Sequence, residues 1–157
     1  MSERRVGLVV TGGTVRVIDA NIPDDEDDPI EILADDKWDL KQGPHPDAYD
    51  VIYRRCSSYL KEHKIKRAVI KASEVARPAK LAHFESAELR GVIIAAAAAS
   101  TAVTLIKKSV ITKTYGERKV DEYLKDDDFW DEQTTGQPIR KASREAAMIL
   151  VASRKTK

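Results

Sequence analysis

In the first third of the chain apolar residues recur with a period of two. Arg5 to Val10 form a β-branched, apolar run, Gly12-Gly13 supply a turn, and Thr14 to Ile18 alternate polar with apolar side chains, which predicts a hairpin. Ile30-Glu31-Ile32-Leu33 reads as a third short strand, after an acidic loop over 23–29 and before a Gly43-Pro44-His45-Pro46 break. From Asp47 the period lengthens. Ala48, Val51, Ile52, Cys56, Tyr59 and Leu60 fall on one face at helical spacing, predicting a helix to about Lys64. Arg67-Ala68-Val69-Ile70-Lys71 then reads as a buried strand, and its end should face a functional edge, because ligands of open α/β sheets gather at the carboxyl ends of strands.

Ser86 is a good N-cap for a largely apolar internal helix running to about Ser100, within which Gly91 implies close approach to the sheet. Val103 to Ile106 would be the fifth strand and Arg118 to Leu124 a short amphipathic helix. The segment 126–138 reads as an irregular polar connection, and Ser143 to Ser153 closes the chain as a helix carrying Ala147, Leu150 and Val151. The predicted order is β-β-β-α-β-α-β-α-α: one α/β domain over 1–157, with a mixed five-stranded sheet and helices on both faces.

This is the ribonuclease H-like order. Gly91 and the apolar helix around it, the strand after it, Ile106-Lys107-Lys108-Ser109-Val110, and Tyr115-Gly116-Glu117-Arg118-Lys119-Val120 opening the next helix form a succession. It resembles RuvC-type Holliday-junction resolvases and their phage and bacterial relatives. The resemblance implies phosphodiester cleavage with two divalent metals held by carboxylates on the first strand, at the end of the fourth strand and on the last helix. Hard cations take oxygen ligands, and paired ions stabilise the attacking and leaving oxygens of an in-line displacement.

Carried onto this chain residue by residue, the resemblance places Val9 where the first-strand aspartate would stand and Ala72 at the end of the fourth strand, with Glu74 close by. On the last helix Glu145 matches one carboxylate, while Lys141 and Ala142 lie on the preceding turn. A single matching acid cannot hold a metal pair. The preferred reading is therefore a catalytically degenerate RuvC-like domain that binds structured nucleic acid or a protein partner, with no metal site or cofactor of its own. Two alternatives stand beside it. One is a magnesium- or manganese-dependent endonuclease with rearranged catalytic carboxylates Asp19, Glu74 and Glu145. The other is a protein-interaction subunit that makes no nucleic-acid contact.

A formal net charge of +1, with 34% charged and 42% hydrophobic residues, gives a globular balance and no whole-molecule attraction to nucleic acid, so any such binding must be local. Lys107, Lys108, Lys113, Arg118 and Lys119, with Tyr115 among them, are the best candidates for it, since cations with an interleaved aromatic suit a phosphate backbone. The start Met-Ser-Glu-Arg-Arg leads straight into a β-like run, and the most apolar stretch, Val92 to Val103, is shorter than the roughly 20 residues of a membrane span. With the lone Cys56 this predicts a cytoplasmic protein without membrane contact; a homodimer remains open. Thr11-Gly12-Gly13-Thr14 resembles the nucleophile turn of asparaginases but reads better as a β-turn, and Asp24 to Asp28 lack the spacing and glycine of a calcium loop. His45, His63 and His83 have no partners at ligand spacing, and Trp38 and Trp130, read as loop residues, should pack over the core.

Overall fold

A computed structural model describes residues 2–155. The β-branched runs form a hairpin, β1 (Ser2–Thr11) and β2 (Thr14–Pro23), extended antiparallel by β3 (Ile30–Asp39). Gly12 at the hairpin tip has φ +59°, a left-handed conformation that glycine adopts without a side-chain clash. Two parallel strands, β4 (Arg67–Lys71) and β5 (Ala102–Ile106), add to the free side of β1. A three-residue strand, β6 (Thr134–Gly136), adds to β3, giving the order β5-β4-β1-β2-β3-β6.

The sheet is covered on both faces. Helices α1 (His45–Glu62) and α2 (Leu81–Ala98) pack over Val6, Leu8, Val10, Val15, Val17, Ala68 and Ile70. The opposite face, with Val9, Ile18, Ala20, Val69 and Ile106, is covered by α3 (Lys108–Thr114), α4 (Val120–Leu124), α5 (Asp127–Gln133) and α6 (Arg144–Ser153). Alternation along β1, β2 and β4 assigns successive side chains to opposite helical layers, whereas the register shift opposite Asp19 and Ala20 lets β3 place Ile30 and Ile32 in one layer and Trp38 in the other. Gly7 lets α6 reach the sheet: a Cβ there would run into the Ala146 carbonyl and lie 2.9 Å from Leu150 Cγ.

Several elements differ from the sequence reading. The connection over 126–138 is ordered rather than irregular, because the Asp126 carboxylate caps α5 by accepting from Phe129 N at 3.0 Å while Trp130 and Phe129 turn inward. The chain after α5 then pairs with β3, so the sheet has six strands and not five. Helix α2 begins at Leu81, and Ser86, expected as its cap, lies inside it. Gly91 is exposed, with open space where a Cβ would stand, so it does not mark close approach to the sheet. Trp38 is in β3 rather than a loop, and both tryptophans are buried. The acidic loop is held by Arg154, whose guanidinium donates to the carbonyls of Pro23, Asp25 and Glu26. Among the described residues no helix is long and apolar enough to cross a membrane.

Candidate functional site

The carboxyl ends of β1 and β4 lie side by side and open onto a cleft of about 270 Å³ between α2 and the first turn of α6. Lys71, the last residue of β4, shares a face with Val69 and so points to the α6 side, where Glu145 occupies the first helical turn. The Lys71 ammonium is 2.6 Å from Glu145 Oε1 and 3.1 Å from Glu74 Oε1, bridging the two carboxylates. Lys108 Nζ approaches the second oxygen of Glu74 at 3.9 Å. Burial works against the charge on Lys71, but the hydrogen bonds and fields of Glu145 and Glu74 outweigh it, and the lysine pKa is raised. Val9, next to them on the same face, is almost fully buried and contributes no oxygen.

Arg90 of α2 closes the other wall. Its Nη1 donates to Ser73 Oγ at 2.7 Å and its Nη2 to the Val10 carbonyl at 3.0 Å, while its buried Nε has no hydrogen-bond partner among the described residues. Burial lowers its pKa, opposed by the fields of Glu74 and Glu145. Ser86 tethers the hairpin to α2: its hydroxyl accepts from Gly12 N at 2.9 Å and donates to the Ala82 carbonyl. A second cleft, of about 290 Å³, lies beyond Glu145 and includes Val9, Arg16 and Ala142. The turn Thr11 to Thr14 is the hairpin tip, and the Thr14 hydroxyl is spent on Asp39 at 2.8 Å.

Of the three carboxylates considered as metal ligands, Glu74 and Glu145 are brought together and Asp19 is not. Asp19 shares its face with Val15 and Val17 and so lies on the α1 side of the sheet, away from α6. It is fully buried there, accepting from Arg4 Nε at 2.9 Å, Arg4 Nη2 at 2.7 Å and the Tyr59 hydroxyl at 2.6 Å, so its charge is spent on joining α1 to the hairpin. Among the described residues no three His, Cys, Asp or Glu side chains are arranged to hold a metal ion. Two carboxylates that already share an ammonium do not fit a pair of divalent cations.

The basic stretch divides into free and engaged members. Lys107, Lys113 and Lys119 are exposed and form no ion pair among the described residues, and Lys108 is largely exposed. Tyr115 is buried instead, its ring 5.1 Å from that of Tyr123 in an edge-on contact, and burial pushes its pKa up. Arg118 donates to Asp126 Oδ2 at 2.9 Å and lies over the Tyr123 ring at 4.3 Å. Tyr115 thus serves the α3–α5 layer rather than an open surface, and Arg118, although exposed, is engaged with Asp126 and Tyr123. His45 and His83 are exposed, with His83 lining the strand-end cleft, and His63 stacks on Tyr59 at 4.2 Å. Sequence reasoning did not single out Lys71 or Arg90; the signal available for Lys71 was its place at the end of a buried strand. It also missed the exposed apolar side chains of Val75, Leu81 and Phe84, which lie along the chain between β4 and the first turn of α2, the stretch that borders the cleft.

No family model matches this sequence, and no curated protein matches it either. Solved structures do. Thermus thermophilus RuvC aligns over 95% of this chain and 92% of its own, with a TM-score of 0.74 at 12% identity. The same organism's RuvC in complex with a Holliday junction substrate covers 96% and 91%, with a TM-score of 0.71 at 10% identity. The yeast mitochondrial Holliday junction resolvase Ydc2 covers 97% of this chain and 79% of its own, with a TM-score of 0.65 at 11% identity. The chain thus has the ribonuclease H-like fold of RuvC type.

Proposed function

We propose that this ribonuclease H-like chain binds structured nucleic acid along the edge formed by the carboxyl ends of β4 and β5 and the start of α3, and that it does not cut what it binds. The observation that carries this reading is how charge is paired at that edge. The acids Glu74 and Glu145 are bridged from within by one ammonium, Lys71, whereas Lys107 at that edge, and Lys113 and Lys119 along the adjoining α3–α4 segment, are exposed and form no ion pair among the described residues. An edge with that balance attracts a phosphate backbone and offers no carboxylate cluster to a catalytic ion. One of the structural neighbours is a RuvC in complex with a Holliday junction substrate, which supports a branched duplex as the first ligand to try.

The test is a salt titration of binding to four-way-junction and linear duplex DNA. Lys107→Glu and Lys113→Glu should each weaken binding to every sequence and lower the slope of log affinity against log salt by about 1. Affinity that ignores both salt and these substitutions would overturn the reading. Magnesium- or manganese-dependent cleavage that is abolished by Glu145→Ala would replace it with the nuclease. The exposed Val75, Leu81 and Phe84 favour a second reading, a protein partner at the same edge. That reading predicts that Phe84→Ser leaves the nucleic-acid titration unchanged.

A further inference from the structure

A lysine that ends a buried strand between two glutamates is an uncommon arrangement, because burying an ammonium costs solvation that only close, well-placed acids can offset. Here both acids are in place: Glu145 at 2.6 Å arrives from α6 and Glu74 at 3.1 Å from the segment after β4. Both also lie at the strand-end cleft, with Arg90 on its far wall. We infer that Lys71 is a resident counter-ion that keeps divalent cations out of the Glu74–Glu145 pair, so that a neutral residue at position 71 turns this cleft into a divalent-cation site.

Two carboxylates converging on one point are the start of a hard-cation site, since each supplies oxygens and negative charge. The ammonium occupies that point with its own charge and three donors, and its contacts with the two carboxylates favour the charged form. A dication approaching Glu145 would meet the Lys71 charge at contact distance, with Arg90 adding a second positive charge from across the cleft. Removing the charge of Lys71 leaves both carboxylates without their nearest cation and makes the local charge more negative by one. Lys108, 3.9 Å from Glu74 and largely exposed, supplies a solvent-screened charge that offsets Glu74 only weakly. The inference shares with the proposed function the view that the acids are already engaged by Lys71, but its test involves no nucleic acid.

The experiment measures manganese binding to the whole chain by the loss of the free-ion electron paramagnetic resonance signal. Lys71→Met keeps most of the stem packing and removes the charge; it should bind Mn²⁺ at least about tenfold more tightly than the unaltered chain. Lys71→Arg keeps the charge and should behave like the unaltered chain. Equal Mn²⁺ affinity in Lys71→Met and the unaltered chain would overturn the inference. Should Lys71→Met fail to fold, the unaltered chain carries the test alone. The ¹⁵N signal of the Lys71 ammonium, identified by its loss in Lys71→Arg, should stay sharp as Mn²⁺ is added, and selective broadening of it would overturn the inference. Failed nucleic-acid binding sinks the proposed function and leaves this inference standing. Mn²⁺ bound at this pair in the unaltered chain sinks this one even if nucleic acid binds.

Discussion

Asp35 Oδ1 accepts a 2.6 Å hydrogen bond from Ser143 Oγ, joining β3 to the turn that launches α6. The other carboxylate oxygen accepts from Arg140 N at 2.7 Å, so a single side chain fixes the approach to the helix that carries Glu145. Burial works to raise the Asp35 pKa, but the hydrogen bonds from Arg140 and Ser143 prevail and hold it below the usual aspartate value.

A group whose pKa is lower in the folded state stabilises the fold above its unfolded pKa, near 3.9 for aspartate, and loses that contribution as pH falls through the folded value. Asp35→Asn should therefore cost about 1–2 kcal/mol at pH 7, with a gap to the unaltered chain that narrows below about pH 4. Urea unfolding at pH 7 and pH 3 checks this. A gap that stays constant with pH would show that the charge of Asp35 does not matter.

Gly7 sits where α6 comes closest to the sheet, and any side chain there meets the Ala146 carbonyl. Gly7→Ala should destabilise the chain by about 1–3 kcal/mol, since backbone rather than a flexible side chain must give way. A change within about 0.5 kcal/mol in chemical denaturation would mean that α6 does not bear on β1.

Lys64 has φ 53°, and its N–H donates to the Lys61 carbonyl while Ile65 N donates to that of Leu60. This pair of bonds ends α1 in the motif that most often uses glycine. Lys64→Gly should raise stability by about 1 kcal/mol by relieving the left-handed strain, read as a higher midpoint at unchanged m-value. A lower midpoint would contradict it.

Cys56 is buried among the residues of α1, α2 and the sheet, and burial pushes its pKa up to about 12. At pH 8 its thiol should react with a disulfide reagent only as fast as the chain opens, and at the ordinary rate once unfolded. Rapid labelling of the native chain would show that this part of the core is open to solvent.

Much of the layered order was legible along the chain. The alternation over Arg5 to Ile18 and the helical spacing of Ala48 through Leu60 each report a burial period set by neighbouring residues alone. The elements that escaped, α3, α5 and β6, are short, so their apolar residues do not complete a recognisable period. They form because Asp126 caps one end and the inward-facing aromatics Tyr115, Tyr123, Phe129 and Trp130 find one another.

The candidate site was legible by residue type but not by pairing. The sequence by itself determined that the leading strand carries valine at position 9, that acids stand at 74 and 145, and that a lysine ends the fourth strand. In a central strand covered on both faces, such as β2, alternation does not say which helix lies on which side. Only the tertiary structure decided that Asp19 faces Tyr59 and Arg4, that Tyr115 turns inward, and that Lys71 meets Glu145 of α6 on the same face of the sheet. Periodicity is a short-range property of the chain, whereas ion pairs between distant segments are set by how the helices pack onto the sheet.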